Sequence, residues 1–151
     1  FNVRNGEKIK CGLGLNIEQA VNDEVGFFFR GMKSDGKTET YAFTEVDSSL
    51  STGFLVKGNP WGRAEDTVGI SLMTNYLSPE RRRFLEAGGI SFFIGDGQLH
   101  YRPETIFESF YNWHVSKGLW LTGDYQRIQN PAYNASRGPV NVYALRFHAE
   151  F

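Results

Sequence analysis

Two glutamates, Glu104 and Glu108, stand four residues apart in a stretch where polar and apolar side chains alternate. Asp124, Arg146 and Trp120 fall on the polar side of similar stretches further along. Carboxylates accept and guanidinium groups donate hydrogen bonds in forked geometry, which suits pairs of neighbouring hydroxyls. An indole face suits an apolar C–H surface. The same charges could instead form a static salt-bridge lattice that stiffens a wall, and the residue types alone leave both readings open.

Catalysis finds little support. Along a strand, Glu104 and Glu108 would lie about 13 Å apart, four residues at about 3.3 Å each. That exceeds the roughly 5–9.5 Å between the carboxyls of glycosidases. His100, His114 and His148 have no histidine partner at metal-ligand spacing, and Cys11 is the only cysteine. Neither a Gly-x-Ser-x-Gly elbow nor a phosphate-binding loop is present. The expectation is recognition without an enzymatic step, a metal or a cofactor. Asp96, between Gly95 and Gly97, is a poor match for a calcium loop.

The elements that must position these residues read as strands. From Lys8 to Glu18, Ile9, Cys11, Leu13, Leu15 and Ile17 share one face, while Lys10, Gly12, Gly14, Asn16 and Glu18 share the other. A helix of period 3.6 would not sort them so. Further strands are expected at Val25–Met32, Thr38–Val46, Ser49–Val56, Thr67–Leu77, Glu104–Val115, Leu119–Arg127 and Val140–Phe151. Asp35-Gly36 reads as a tight hairpin, because short turns demand positive φ. Ser78-Pro79-Glu80 reads as a helix start, with Arg81, Arg82, Arg83 and Leu85 continuing it until Gly88-Gly89. The arginine run suits a solvated helix face, a contact with lipopolysaccharide phosphates, or the steering of solutes.

About eight strands in a single domain, 1–151, are therefore expected, an all-β antiparallel arrangement. Connections would alternate between rims, with Ser116–Gly118, Lys57–Asp66 and Ser34–Lys37 on one. Gln129–Pro139, Ser78–Pro103, Val46–Ser49 and Ala20–Glu24 would fall on the other. Long loops gathering on one rim is the habit of transmembrane β-barrels. A soluble sandwich also alternates, but its strands are usually about five or six residues long. The mean hydropathy of −0.39 does not argue against a membrane, since a barrel strand is apolar only at every second residue. The charge balance, 16 Lys+Arg against 17 Asp+Glu, gives no support to a nucleic-acid partner. The chain opens on Phe1 rather than Met, as expected of a processed chain or a fragment.

The last strand, closing on Phe151, resembles the terminal signature of bacterial outer-membrane proteins. Several ordered stretches then resemble one family, the OprB-type carbohydrate-selective porins. They are Glu18-Gln19, Phe29-Arg30 with Asp35-Gly36, and Trp61-x-Arg63-x-x-Asp66. Gly95-Asp96-Gly97 follows, then Tyr101-x-x-Glu104-x-x-x-Glu108-x-x-Tyr111. Next come Asp124-x-Gln126-x-Ile128-x-Asn130-Pro131-x-Tyr133 and Arg137-Gly138-Pro139-Val140, and last Arg146-x-His148-x-Glu150-Phe151.

The resemblance implies the C-terminal half of a sixteen-stranded outer-membrane barrel, with an N-terminal half elsewhere, that passes glucose and similar small sugars by passive diffusion. By strand parity Glu104, Glu108, Trp120, Asp124 and Arg146 project inward and would line the wall, and the resemblance suggests a constriction loop carrying Asp96 and Arg102. It also implies contacts with outer-membrane lipid and lipopolysaccharide, and an assembly machinery that reads the last strand. Trp113 and Phe151 would join the interfacial aromatic girdle. Two other readings remain open: a channel for ions or other solutes, and a non-conducting barrel that binds glycans or serves structure.

Overall fold

The computed structural model describes residues 9–38, 45–91 and 94–151. Seven antiparallel strands form one sheet in sequence order: β1 (Gly12–Ala20), β2 (Val25–Ser34), β3 (Ser48–Gly58), β4 (Arg63–Tyr76), β5 (Glu104–Ser116), β6 (Leu119–Gln129) and β7 (Val140–Ala149). One helix, α1 (Pro79–Glu86), sits between β4 and β5. All seven strands have nine residues or more, enough for tilted strands to cross a bilayer. No helix among the described residues is long and apolar enough to cross one.

Among the described residues the sheet has seven strands, where about eight are expected. Most of the strand expected at Thr38–Val46 lies outside the described residues, yet β2 pairs directly with β3, from Val25↔Val56 to Lys33↔Ser48. Asp35-Gly36 does take up the left-handed turn conformation, with Gly36 at φ 63°, but it opens a loop rather than closing a hairpin. Its Asp35 carboxylate accepts from the Cys11 and Lys37 backbone N–H groups, and the Gly36 carbonyl accepts from the Ser78 hydroxyl. A Cβ on Gly36 would collide with Ser78, so the turn is docked on another loop.

Removing one strand shifts the rims. Segments 21–24, 59–62 and 117–118 share the short-turn rim, while 35–47, 77–103 and 130–139 share the other. Ala20–Glu24 thus changes sides from the expectation, and Ser34–Lys37 and Val46–Ser49 come to lie on the same rim. The asymmetry typical of outer-membrane barrels becomes cleaner.

The strands carry no sheet-wide apolar core. Large apolar side chains on one face stay exposed: Leu145 at 75%, Tyr143 at 78% and Phe147 at 69% on β7, with Leu15, Phe54, Ile70 and Leu72 on the others. In water such a face would be an unpaid hydrophobic cost, whereas in lipid it is matched. The opposite face carries the polar set. Two of its phenylalanines lie flat against the wall, because glycines sit opposite them: Phe28 faces Gly53 and Phe110 faces Gly69. A Cβ at either glycine would strike the ring.

The buried apolar cluster lies at the long-loop rim, where Leu77, Leu85, Ile94, Leu99 and Tyr133 pack together. α1 begins as expected: Ser78 is the N-cap, its hydroxyl accepting from the Arg81 N–H, with Pro79 in the first turn.

Candidate functional site

Period 2 and the strand register bring Glu108, Trp120, Asp124 and Arg146 to one face. Glu108 lies opposite Gln126 and Phe110 opposite Asp124, while Thr122 lies opposite Arg146 and Trp120 opposite His148. Together with Asn112 and Glu150 they line one open groove of about 430 Å³. Within it Glu108 accepts from Gln126 Nε2 at 3.3 Å and from the Ser71 hydroxyl at 3.4 Å.

The groove's charges are incompletely satisfied. Asp124 Oδ1 is buried with no hydrogen-bond partner. Arg146 makes no ion pair or hydrogen bond among the described residues. Neither Asp124 nor Arg146 is held in a salt bridge among the described residues.

Glu104 lies on the same face but is spoken for. Asn75 Nδ2 donates to one carboxylate oxygen at 3.2 Å, and the Ala132 backbone N–H donates to the other at 2.9 Å. The 130–139 loop thereby leans over the inner face at the long-loop rim. Asp96 ties in the same loop, through Asn134 Nδ2 at 2.9 Å and Arg137 at 3.2 Å. Arg102 contributes its backbone N–H to the Tyr133 carbonyl, and its side chain is exposed. Among the described residues no group of three or more His, Cys, Asp or Glu could hold a metal.

The arginine run corrects the expectation of a shared solvated face. Arg81 is 8% exposed and clasps Asp47 through Nε at 2.9 Å and Nη2 at 3.2 Å, with Glu45 at 3.4 Å. Burial would raise the Asp47 carboxyl, but the Arg81 guanidinium and the Ser78 N–H outweigh it and hold it below the usual range. Arg82 donates to the Leu77 carbonyl and lies 4.2 Å from the centre of the Tyr101 ring. Arg83 alone remains on the solvated face, beside Glu80. Burial also pushes the Tyr133 phenol well up, consistent with its fixed role as a donor to the Glu45 carbonyl at 2.8 Å. That tyrosine ends a strained turn, since Asn130, Ala132 and Tyr133 all have positive φ.

A second cluster was visible in the sequence only as a pattern, Trp61-x-Arg63-x-x-Asp66. Asp66 is 1% exposed. It pairs with Arg63 and accepts from the Tyr111 hydroxyl and from the His114 backbone N–H at 2.9 Å. Arg63 Nη2 donates to the His114 carbonyl at 2.8 Å and lies over Trp113. This clamp joins the β3–β4 and β5–β6 hairpins where the β5 register shifts, between His114 and Ser116. A carboxylate three residues after an arginine, at a strand start, was the available signal. The backbone it serves was not visible.

Residues 3–151 match the family of carbohydrate-selective porins, OprB family. The chain belongs to that family. The OprB sheet is also similar to a solved structure, the high-pH structure of Pseudomonas putida OprB. The two share 21% identity with a TM-score of 0.66, over 84% of this chain and 30% of that one. The chain thus spans less than a third of that protein's length, and what the likeness shows is the fold. No curated protein matches it.

Proposed function

We propose that this chain forms part of the wall of an outer-membrane pore through which small carbohydrates, glucose among them, diffuse passively. The observation that carries the reading is the two-faced sheet. Exposed apolar side chains cover one face, and a charged groove with unsatisfied groups lies on the other. Lipid takes the first face and hydrated solute the second. Family membership supplies the class of cargo.

The lining residues of this reading are Glu108, Asp124, Arg146 and Trp120. Glu104 serves it indirectly by holding the 130–139 loop, and Asp96 and Arg102 belong to the loop cluster that narrows the passage. Such a wall must replace part of a sugar's hydration without trapping it. Single hydrogen-bonding groups spread along a groove do that, and a closed pocket would not. No chemical step is involved.

A sheet with two unpaired edges in lipid is prohibitively costly. The functional barrel therefore contains more strands than these seven, with residues 1–151 contributing one continuous unit of its wall. Tyr143, Leu145, Phe147 and Phe151 give the closing strand the alternating apolar edge that barrel assembly would read. The test is glucose flux into liposomes carrying the intact barrel. Glu108→Gln or Arg146→Ala is expected to change glucose flux or its selectivity over salt, and unchanged values in both would remove the lining role.

A further inference from the structure

Three rings cross the inner face in one row near the short-turn rim. His114 on β5, Trp120 on β6 and His148 on β7 are cross-strand neighbours. The Trp120 ring lies 5.3 Å from His114 and 5.4 Å from His148, centre to centre, tilted 40° and 52°. An inward tryptophan usually packs on a neighbour, and this one packs on two. The imidazoles brace the indole from either side, while its residue stays only partly buried in the groove. His148 Nε2 is itself anchored to Glu150 at 3.0 Å.

The bracing reaches through the wall. The Asp66–Arg63 clamp on the outer face grips both the N–H and the carbonyl of His114. It thereby fixes the backbone from which that imidazole projects inward. Hydroxyl-binding groups flank the row: Asn112 and Thr122, joined to each other at 2.9 Å, with Arg146 and Glu150 beyond. A rigid aromatic face bordered by hydroxyl partners suits a ring that is apolar on its flat side and polar around its edge.

We propose that the His114–Trp120–His148 row is a stacking subsite for pyranose rings at the short-turn mouth, one that separates cyclic sugars from acyclic polyols of similar size. The inference rests on the pore reading above and names a substrate class for this end of it. An open-chain polyol has no flat C–H face, so it gains the hydroxyl contacts but not the stacking. Trp120 is the contact residue. His114 and His148 are positioning residues that hold the indole in place.

The experiment uses the intact barrel in planar bilayers, with current noise or block measured for glucose and for sorbitol. Trp120→Ala is expected to weaken the apparent glucose affinity about five- to tenfold, the range for loss of an aromatic face. Sorbitol block should stay as it was, and Trp120→Phe should restore most of the glucose effect. His148→Leu should weaken glucose less than Trp120→Ala does, with the same indifference to sorbitol. A salt current through each variant shows that it still forms its barrel. Glucose affinity left intact by Trp120→Ala, or equal losses for glucose and sorbitol, would overturn the subsite while leaving the pore standing. A wild-type barrel that carries salt current but neither passes nor binds glucose would instead overturn the pore's sugar reading, and this subsite with it.

Discussion

Arg81 and Arg146 are the same residue type at the two ends of one wall, and they are used in opposite ways. At the long-loop rim Arg81 is 8% exposed and grips Asp47 and Glu45. In the groove Arg146 has no ionic partner, and Asp124 nearby keeps a buried oxygen unsatisfied. The first arginine is spent on structure, while the second has no partner among the described residues. The difference lies in what surrounds each one. Around Arg81 the loops bring carboxylates, the Ser78 cap and an apolar cluster into one dry site. Around Arg146 the strands bring hydroxyl, amide and carboxylate groups and aromatic rings into an open groove.

The sharpest way to break this contrast is to remove one half of the clasp. Arg81→Leu takes the guanidinium away from the buried Asp47 carboxylate and is expected to cost about 3–5 kcal/mol of loop-region stability. Protease sensitivity of the 77–103 loop and hydrogen exchange at the Ser78 N–H would read it. Arg146→Leu should cost almost nothing in those readouts and show only in flux. If both variants destabilise the protein equally, the contrast is wrong.

A second intervention works on the groove from beneath. Gly69→Val would force the Phe110 ring off the wall, since even a Cβ collides with it. Displaced into the groove beside Asp124 and Asn112, the ring should lower single-channel conductance, and overpacking should cost about 1–3 kcal/mol. Normal conductance would mean that the ring finds another home.

Acid should separate the two regions as well. The folded-state pKa of Asp47 is held below its ordinary value. The clasp's contribution is therefore present above the unfolded pKa, near 4, and is lost as pH falls through the folded value. Loop protection should thus be intact at pH 5 and fail only in stronger acid. Asp47→Asn should abolish that acid step, and a step that survives the substitution would assign it to another group. The smallest effect is expected at Arg83, paired with Glu80 on the exposed face of α1. Arg83→Ala should change stability by less than about 0.5 kcal/mol.

Much of the wall was legible in the sequence. The alternation from Leu13 to Ile17 and from Tyr143 to Phe147 assigns faces, because a strand's side-chain period is fixed at two. Ser78-Pro79 marks a helix start, because the capping bond and the proline ring act within one turn. The shared face of Glu108, Trp120, Asp124 and Arg146 follows from parity in the same way. The strand expected at 38–46, where the signal was weakest, lies mostly outside the described residues. Asp35-Gly36 promised positive φ correctly, but positive φ does not say whether the chain turns back on itself or docks on a loop forty residues away.

By itself, then, the sequence determined which side chains face lipid and which face the lumen, and where α1 begins. Those are local properties of a pleated strand and of a helix's first turn. Only the tertiary structure decided which charges are consumed. Arg81 meets Asp47 and Glu104 meets the Ala132 N–H across long sequence separations, and Asp66 reaches His114 through a joint between two hairpins. Such partners are chosen by strand register and loop docking, and neither leaves a periodic trace in the chain.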